Sequence, residues 1–397
     1  MASALVLCLS IAAFARDERN PSQGRTPDSL VTKDQYRALH AGLAWISSRR
    51  QSGGSWGTKE GTQVADTSLS LLALMAGGST LGPGKPDRQG LVGGPTRRGP
   101  YAADVEAGID FLARLACRTK GGDPAGYIHD DTMSHMHGHG FATLALATAS
   151  GNLGSSRIGW ISDRVRNGAG VKDLSYADRV RWGLELAVRL TENAQDKDTG
   201  GWFYNPYPEG HEGSMTVTQI TALRAAMEAG VQVEGGVMKK AYGYVRESQN
   251  TTHREYFGGF AYQKNQKERV SVALTSAALT TLFGLGRYGN ASAQDRKLID
   301  DAMGYLDRHF SDDALSTHQQ WYYYRLFYLA QALYLSGDDA RFSKYWPAIR
   351  DDVISRQQAD GRFGNEADPD RSDEYCTAMG CLILEVPMET LPIFQRR

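Results

Sequence analysis

The densest grouping of side chains able to move protons or hold a metal is the run His129-Asp130-Asp131-Thr132, followed at once by His135-Met136-His137-Gly138-His139. On a helix His135 and His139 stand four apart on one face. With a carboxylate from elsewhere, Asp130 or Asp373, they have the donor types of a zinc site. Gly138 and Gly140 point instead to a helix that only begins there, which leaves His135 and His137 in a loop. No metal and no cofactor is therefore expected, and His139 is read as a hydrogen-bonded residue lining a cavity. A second chemically capable stretch is aromatic: Trp321-Tyr322-Tyr323-Tyr324 with Phe327 and Tyr328. Such rings can stabilise a cation over their π faces, or simply pack a core. No glycine-rich phosphate loop, Ser-His-Asp spacing or nucleic-acid motif stands out.

The chain that must position these groups has 397 residues, 41% hydrophobic and 22% charged, an ordinary composition for a folded globular protein. Lys plus Arg (44) nearly cancels Asp plus Glu (45), which gives no electrostatic draw to nucleic acid or an anionic membrane. Met1–Ala15 is apolar, ends Ala13-Phe14-Ala15 and is followed by Arg16, the pattern of a cleavable signal peptide, so export to the periplasm or beyond is expected. No later run is long and apolar enough to span a bilayer. Cleavage would remove Cys8 and leave Cys117, Cys376 and Cys381, an odd set without disulfide-framework spacing, expected as free thiols.

After a loose polar lead-in over residues 16–30, one pattern recurs every forty to fifty residues through 31–397: an amphipathic helix, a glycine turn with an aromatic residue, then a helix rich in Ala, Leu and Thr. Turns are read at Gly53-Gly54-Ser55-Trp56-Gly57, Gly121-Gly122, Gly200-Gly201-Trp202, Gly258-Gly259-Phe260 and Gly361-Arg362-Phe363, and the fifth unit lacks one. A single hairpin cannot cover both faces of its apolar second helix, so neighbours must. Six hairpins suggest an all-α, α/α toroid closed into a double-layered barrel, second helices inside and charged first helices outside. The polar insertion 151–178 has no place in this scheme.

Gln51 to Trp56, Gly200-Gly201-Trp202, Gln249 with Gly258-Gly259-Phe260, and Gln357-Gln358 with Gly361-Arg362-Phe363 resemble the glutamine-tryptophan (QW) repeats of the prenyltransferase and squalene-cyclase superfamily, over nearly all of 31–397. The ending from Tyr375-Cys376 to Gln395-Arg396 looks like its single-toroid bacterial members of unassigned activity. In the turns themselves, glycine allows positive φ, glutamine bonds backbone at a helix end and the ring packs over the junction.

The resemblance implies a central apolar cavity with chemistry where inner helices begin. It thus implicates Asp66, His139, Thr218, Thr275, His318, Tyr322 and the Asp373-Glu374-Tyr375-Cys376 segment. Cyclase-type acid chemistry would draw on Asp130, Asp131 and His139, although the family's Asp-x-Asp-Asp-Thr motif is missing. Zinc-dependent prenyl transfer is not expected, because Cys376 falls one residue off the family's Asp-x-Cys spacing, a swing of about 100° on a helix. The leading expectation is an exported terpenoid cyclase-like toroid holding a small apolar, isoprenoid-like ligand. The alternatives are a non-catalytic scaffold that binds a protein partner, and a carbohydrate-active toroid with two carboxylates facing one cleft.

Overall fold

The computed structural model describes residues 30–57, 61–81, 99–118, 122–130, 135–152, 174–285, 292–315 and 321–396. The leader, Asp131, His318 and residues 153–173 of the insertion lie outside the described residues. Among the described residues twelve α-helices pair into six hairpins: α1 (Lys33–Ser48) with α2 (Gln63–Ala76), α3 (Ala102–Cys117) with α4 (His135–Asn152), and α5 (Tyr176–Asn193) with α6 (Gly213–Glu228). The remaining three are α7 (Gly235–Ser248) with α8 (Val272–Leu285), α9 (Ala293–His309) with α10 (Tyr322–Leu335), and α11 (Asp339–Ser355) with α12 (Asp373–Glu385). Even-numbered helices form an inner ring in sequence order, and α12 packs on α2 to close it. Odd-numbered helices make the outer layer, with α1 between α12 and α2 and α3 between α2 and α4.

The turns are the joints of this ring. In four hairpins the N–H of the turn's aromatic residue donates to a threonine hydroxyl near the start of the inner helix. The pairs are Trp56 to Thr67 (2.9 Å), Trp202 to Thr216 (3.2 Å), Phe260 to Thr275 (3.0 Å) and Phe363 to Thr377 (3.1 Å). In three of these hairpins the glutamine side chain donates twice, once inside its own turn and once to the next outer helix, whereas among the described residues Gln51 of the first donates only within its turn, to Gly57 (2.7 Å). Gln195 reaches Gly200 and Val237 (both 2.9 Å), and Gln357 reaches Gly361 (2.9 Å) and Ala38 of α1 (2.7 Å), which joins the last hairpin to the first. Gly361 has φ +97° because a Cβ there would stand 2.6 Å from the Ala41 carbonyl oxygen; only glycine allows that approach.

Two hairpins depart from this rule. In the second, the close approach falls on Gly126 (φ +89°), whose Cβ would meet the Leu186 carbonyl oxygen at 2.2 Å, while Gly122 borders open space. This corrects the expected turn at Gly121-Gly122. There Ile128 replaces the aromatic residue, and its N–H donates to His139 Nδ1 at 3.3 Å. In the fifth, buried Arg325 donates from Nε to the Ala314 carbonyl (2.9 Å) where the four regular hairpins offer threonine.

Helix α4 begins at His135 rather than at His139. Gly138 and Gly140 serve packing, not helix initiation: a Cβ on Gly140 would stand 2.6 Å from Thr218 Cγ2 of α6, and one on Gly138 3.3 Å from Val64 Cγ1 of α2. The inner helices are buried on nearly every side. In α10 all residues from Tyr322 to Tyr334 are buried, and in α2 all from Asp66 to Ala76. Side chains thus fill the ring among the described residues, with no bore open to water. A recess of about 40 Å³ remains where α6, α8 and α10 end, beneath the segment from Val386 onward. Phe394 of that segment is buried edge-on against Phe327 of α10, 6.2 Å between centroids.

Candidate functional site

All inner helices begin at one end of the ring, and for four of them the loop of the following hairpin caps the helix start. Asp130 accepts the Val64 N–H (2.8 Å), the Tyr204 carbonyl accepts that of Met136 (3.2 Å), and the Tyr262 carbonyl accepts that of Gly213 (2.7 Å). Asp368 accepts from Tyr322 and Tyr323, both at 2.9 Å. These bonds satisfy donors that a helix start otherwise leaves open.

Within this collar five of the six inner helices have a partly accessible residue at an equivalent position. It lies two residues before the side chain that bonds the turn: Ala65, His137, Ser214, Ala273 and Tyr375. These residues are the floor of a shallow mouth. His137 Nε2 is 3.2 Å from Ser214 Oγ, and the Ser214 hydroxyl donates to Glu212 at 2.6 Å. Ser214 then has its lone pairs toward the imidazole, so His137 carries its proton on Nε2. Burial, then the positive charge of Arg371, holds the His137 pKa down to about 3, and the ring is neutral. Glu212 is fully buried, which raises its pKa against the hydrogen bonds from Ser214 and Met215 that favour its charged form. Tyr324 brings its hydroxyl near Ser214 without a hydrogen bond of good geometry.

Beside Arg371 lies Trp321, 46% exposed, with a left-handed φ of +69° that a tryptophan adopts only under constraint. The Arg371 guanidinium lies 4.1 Å from the Trp321 ring centroid and 5.8 Å from that of Tyr375. The mouth therefore offers a neutral imidazole, a hydroxyl, phenols, one guanidinium and an accessible indole.

The structure brings only some of the sequence candidates to this mouth. Tyr375 is on the floor, and Thr218 lies below it beside Tyr328. His139 turns toward the outer layer: Nδ1 accepts from Ile128, and Nε2 lies 3.0 Å from Thr191 of α5. Both ring nitrogens are occupied, and burial lowers its pKa to about 3. Thr275 bonds its turn, and the Tyr322 hydroxyl bonds Asp352 of α11. Asp373 pairs with Arg362 at 2.5 Å, and Cys376 is buried and unpaired, as is Cys381. His129 bonds Asp123 (3.0 Å) and stacks on Tyr127 (4.2 Å between centroids) beside His135.

Asp66 joins the ring's first and last hairpins by accepting the hydroxyls of Thr62 (2.7 Å) and Ser372 (2.8 Å). It is 1% exposed. Burial raises its pKa to about 7 against those two bonds, helped by the nearby charges of Glu374 and Asp130. Asp66, Asp130 and Glu374 thus form a carboxylate group at the seam, in which Asp66 is partly protonated at neutral pH. The sequence reading missed His137, Ser214, Glu212 and Arg371 as site residues. The available signal was positional: each floor residue precedes the turn-binding threonine, or its histidine substitute, by two.

No family model matches the chain, and no curated protein matches it. Solved structures do. An inactive double aspartate-to-asparagine variant of the GH76A α-1,6-mannanase of Salegentibacter sp. HEL1_6, in complex with α-1,6-mannotriose, superposes with a TM-score of 0.57. The match has 11% identity and covers 90% of this chain and 99% of that one. The same mannanase in a second structure gives 0.57 at 10% identity, over 88% and 98%. The type II terpene cyclase MstE from Scytonema gives 0.48 at 14% identity, over 90% and 100%. The mannanase matches identify the fold as an α/α toroid; at this identity they extend no further.

Proposed function

We propose that this toroid binds a saccharide at the mouth formed by the N-terminal ends of its inner helices. One observation carries the reading: the half-exposed Trp321 is backed on one face by Arg371, which also lies near Tyr375 of a floor of neutral hydrogen-bonding groups, while the ring beneath is filled. An indole with one open face fits the apolar face of a sugar, and neutral donors and acceptors fit its hydroxyls. A filled ring gives an isoprenoid chain no room among the described residues. The shared fold with an enzyme captured on α-1,6-mannotriose makes mannose oligosaccharides the first ligands to try. The apolar leader fits an exported protein that meets such a ligand in the envelope. Two sets of carboxyls could serve acid chemistry at this mouth: Glu212, bonded to Ser214 of the floor, and the Asp66, Asp130 and Glu374 group at the seam, where Asp66 has a pKa raised to about 7.

Calorimetric titration with mannotriose and a panel of other oligosaccharides tests the reading. Saturable binding that falls at least tenfold in Trp321→Ala and in Arg371→Gln, with melting temperatures held, is the expected result. Absence of binding across the panel, together with a stoichiometric apolar molecule retained in native mass spectrometry, would return the isoprenoid reading.

A further inference from the structure

At the opposite end of the ring, the recess beneath the segment from Val386 onward brings two arginines together. Arg224 of α6 lies directly over Gly284 of α8, where a Cβ would come within 1.7 Å of its guanidinium, so the glycine is a cradle for that group. Arg224 donates only a long bond, 3.4 Å, to the Thr280 carbonyl, and its buried Nε has no acceptor. Arg396 reaches in from the other side. Its Nε donates to the Tyr334 carbonyl (2.6 Å) and Nη1 to Asp339 (2.5 Å), while its buried Nη2 has no acceptor. Both side chains line the same recess with Thr221, Gln331, Gln395 and Glu228. A buried guanidinium N–H without an acceptor is costly, and the two arginines that carry such groups line the same small recess, where one acceptor would serve both. An oxyanion does so in the geometry arginine favours, and the space suits a carboxylate or phosphate group rather than a larger ligand.

We propose that this recess binds a small oxyanion between Arg224 and Arg396, and that the anion fastens the segment ending at Arg396 across the end of the ring. Because Arg396 belongs to that segment and Arg224 to the ring, occupancy ties one to the other. The site is separate from the mouth and independent of what the mouth binds.

The test follows hydrogen exchange of residues 386–396 and the melting temperature of the full chain while inorganic phosphate, or acetate, replaces chloride at constant ionic strength. Expected is saturable protection of 386–396 with a rising melting temperature; the better of the two ions identifies the headgroup chemistry. Arg224→Gln and Gly284→Ala, the latter displacing the guanidinium without removing it, should each weaken the response at least tenfold. Overturning results are a response that grows linearly with salt, equal responses in wild type and both variants, or no protection at all. If a variant does not fold, NMR titrations of the wild type with phosphate and with carbon-13 acetate decide: a single saturating site for either ion supports the proposal, and the lack of one for both ends it.

Discussion

The four hairpins that share a glutamine, glycine, aromatic and threonine turn differ from the two that do not, and the candidate mouth takes its imidazole, His137, and its indole, Trp321, from the second kind. In hairpins one, three, four and six the turn's hydrogen bonds recur with the same partners, and none of these turn residues reaches the mouth floor. In hairpin two, histidine takes the threonine's place and a second histidine, His137, takes the floor position. In hairpin five, Arg325 takes the threonine's place, and the helix opens on an exposed Trp321 in a strained conformation. Repeats that obey the rule hold the ring closed. Those that break it have side chains free for another task.

The sharpest test of this division is to damage a regular turn. Trp202 is fully buried, and its indole N–H donates to the Thr191 carbonyl at 2.7 Å. Trp202→Ala removes both a large packed volume and that bond, so urea unfolding should show a loss of about 3–5 kcal/mol. A loss below about 1 kcal/mol would mean that the turns do not hold the ring.

The next largest effect is at the seam, where the pH dependence separates Asp66 from the histidines. A carboxyl whose folded pKa is raised from 3.8 to about 7 contributes stability that is complete below 3.8 and is lost as pH rises through 7. His137 and His139, lowered from 6.5 to about 3, run the other way: their contribution is present above 6.5 and is lost as pH falls toward 3. Asp66→Asn keeps an oxygen for the Thr62 and Ser372 hydroxyls and removes the charge. Relative to wild type, the variant should therefore gain stability between pH 4 and 8, by on the order of a few kcal/mol, since each pKa unit corresponds to about 1.4 kcal/mol. Parallel stability curves for the two proteins would show that Asp66 titrates normally.

How far these features could be read from the sequence depends on whether they are repeated. The closed double ring, the inner and outer roles and four turns were legible because the same residue types recur at matching intervals, and each copy supports the others. The second turn was misplaced because two adjacent glycines resemble the motif better than Gly126, whose role is visible only against Leu186 of the next hairpin. The start of α4 was misplaced for a related reason. Gly138 and Gly140 lower helix propensity, but they stand where α2 and α6 press closest, and packing overrides propensity. The mouth was hardest to read, because His137, Ser214 and Arg371 are 77 and more positions apart and nothing local marks them as neighbours.

A smaller effect compares regular and irregular hairpins at one equivalent position. Thr216→Val leaves the Trp202 N–H without its acceptor in a buried turn, at a cost of about 1–3 kcal/mol. His139→Thr, by contrast, converts the irregular second hairpin toward the common pattern. It should cost less than His139→Val, because threonine can still accept from Ile128 whereas valine cannot. Equal losses in the two would mean that His139 acts through bulk rather than through Nδ1, a result thermal melts can resolve.

The smallest expected change reverses sign, and in doing so separates stability from function. Trp321 holds φ at +69° at the start of α10, a region where glycine carries no Cβ penalty of about 1–2 kcal/mol. The exposed half of its indole gains little from burial, although contact with Arg371 offsets part of the strain. Trp321→Gly should therefore leave stability unchanged or raise it by up to about 1 kcal/mol, while saccharide binding is lost. A residue kept for packing would show the opposite, a loss of stability with binding intact. Only a residue retained for what it touches outside the fold makes the protein no less stable when removed, and that is the behaviour expected where the repeat departs from its own rule.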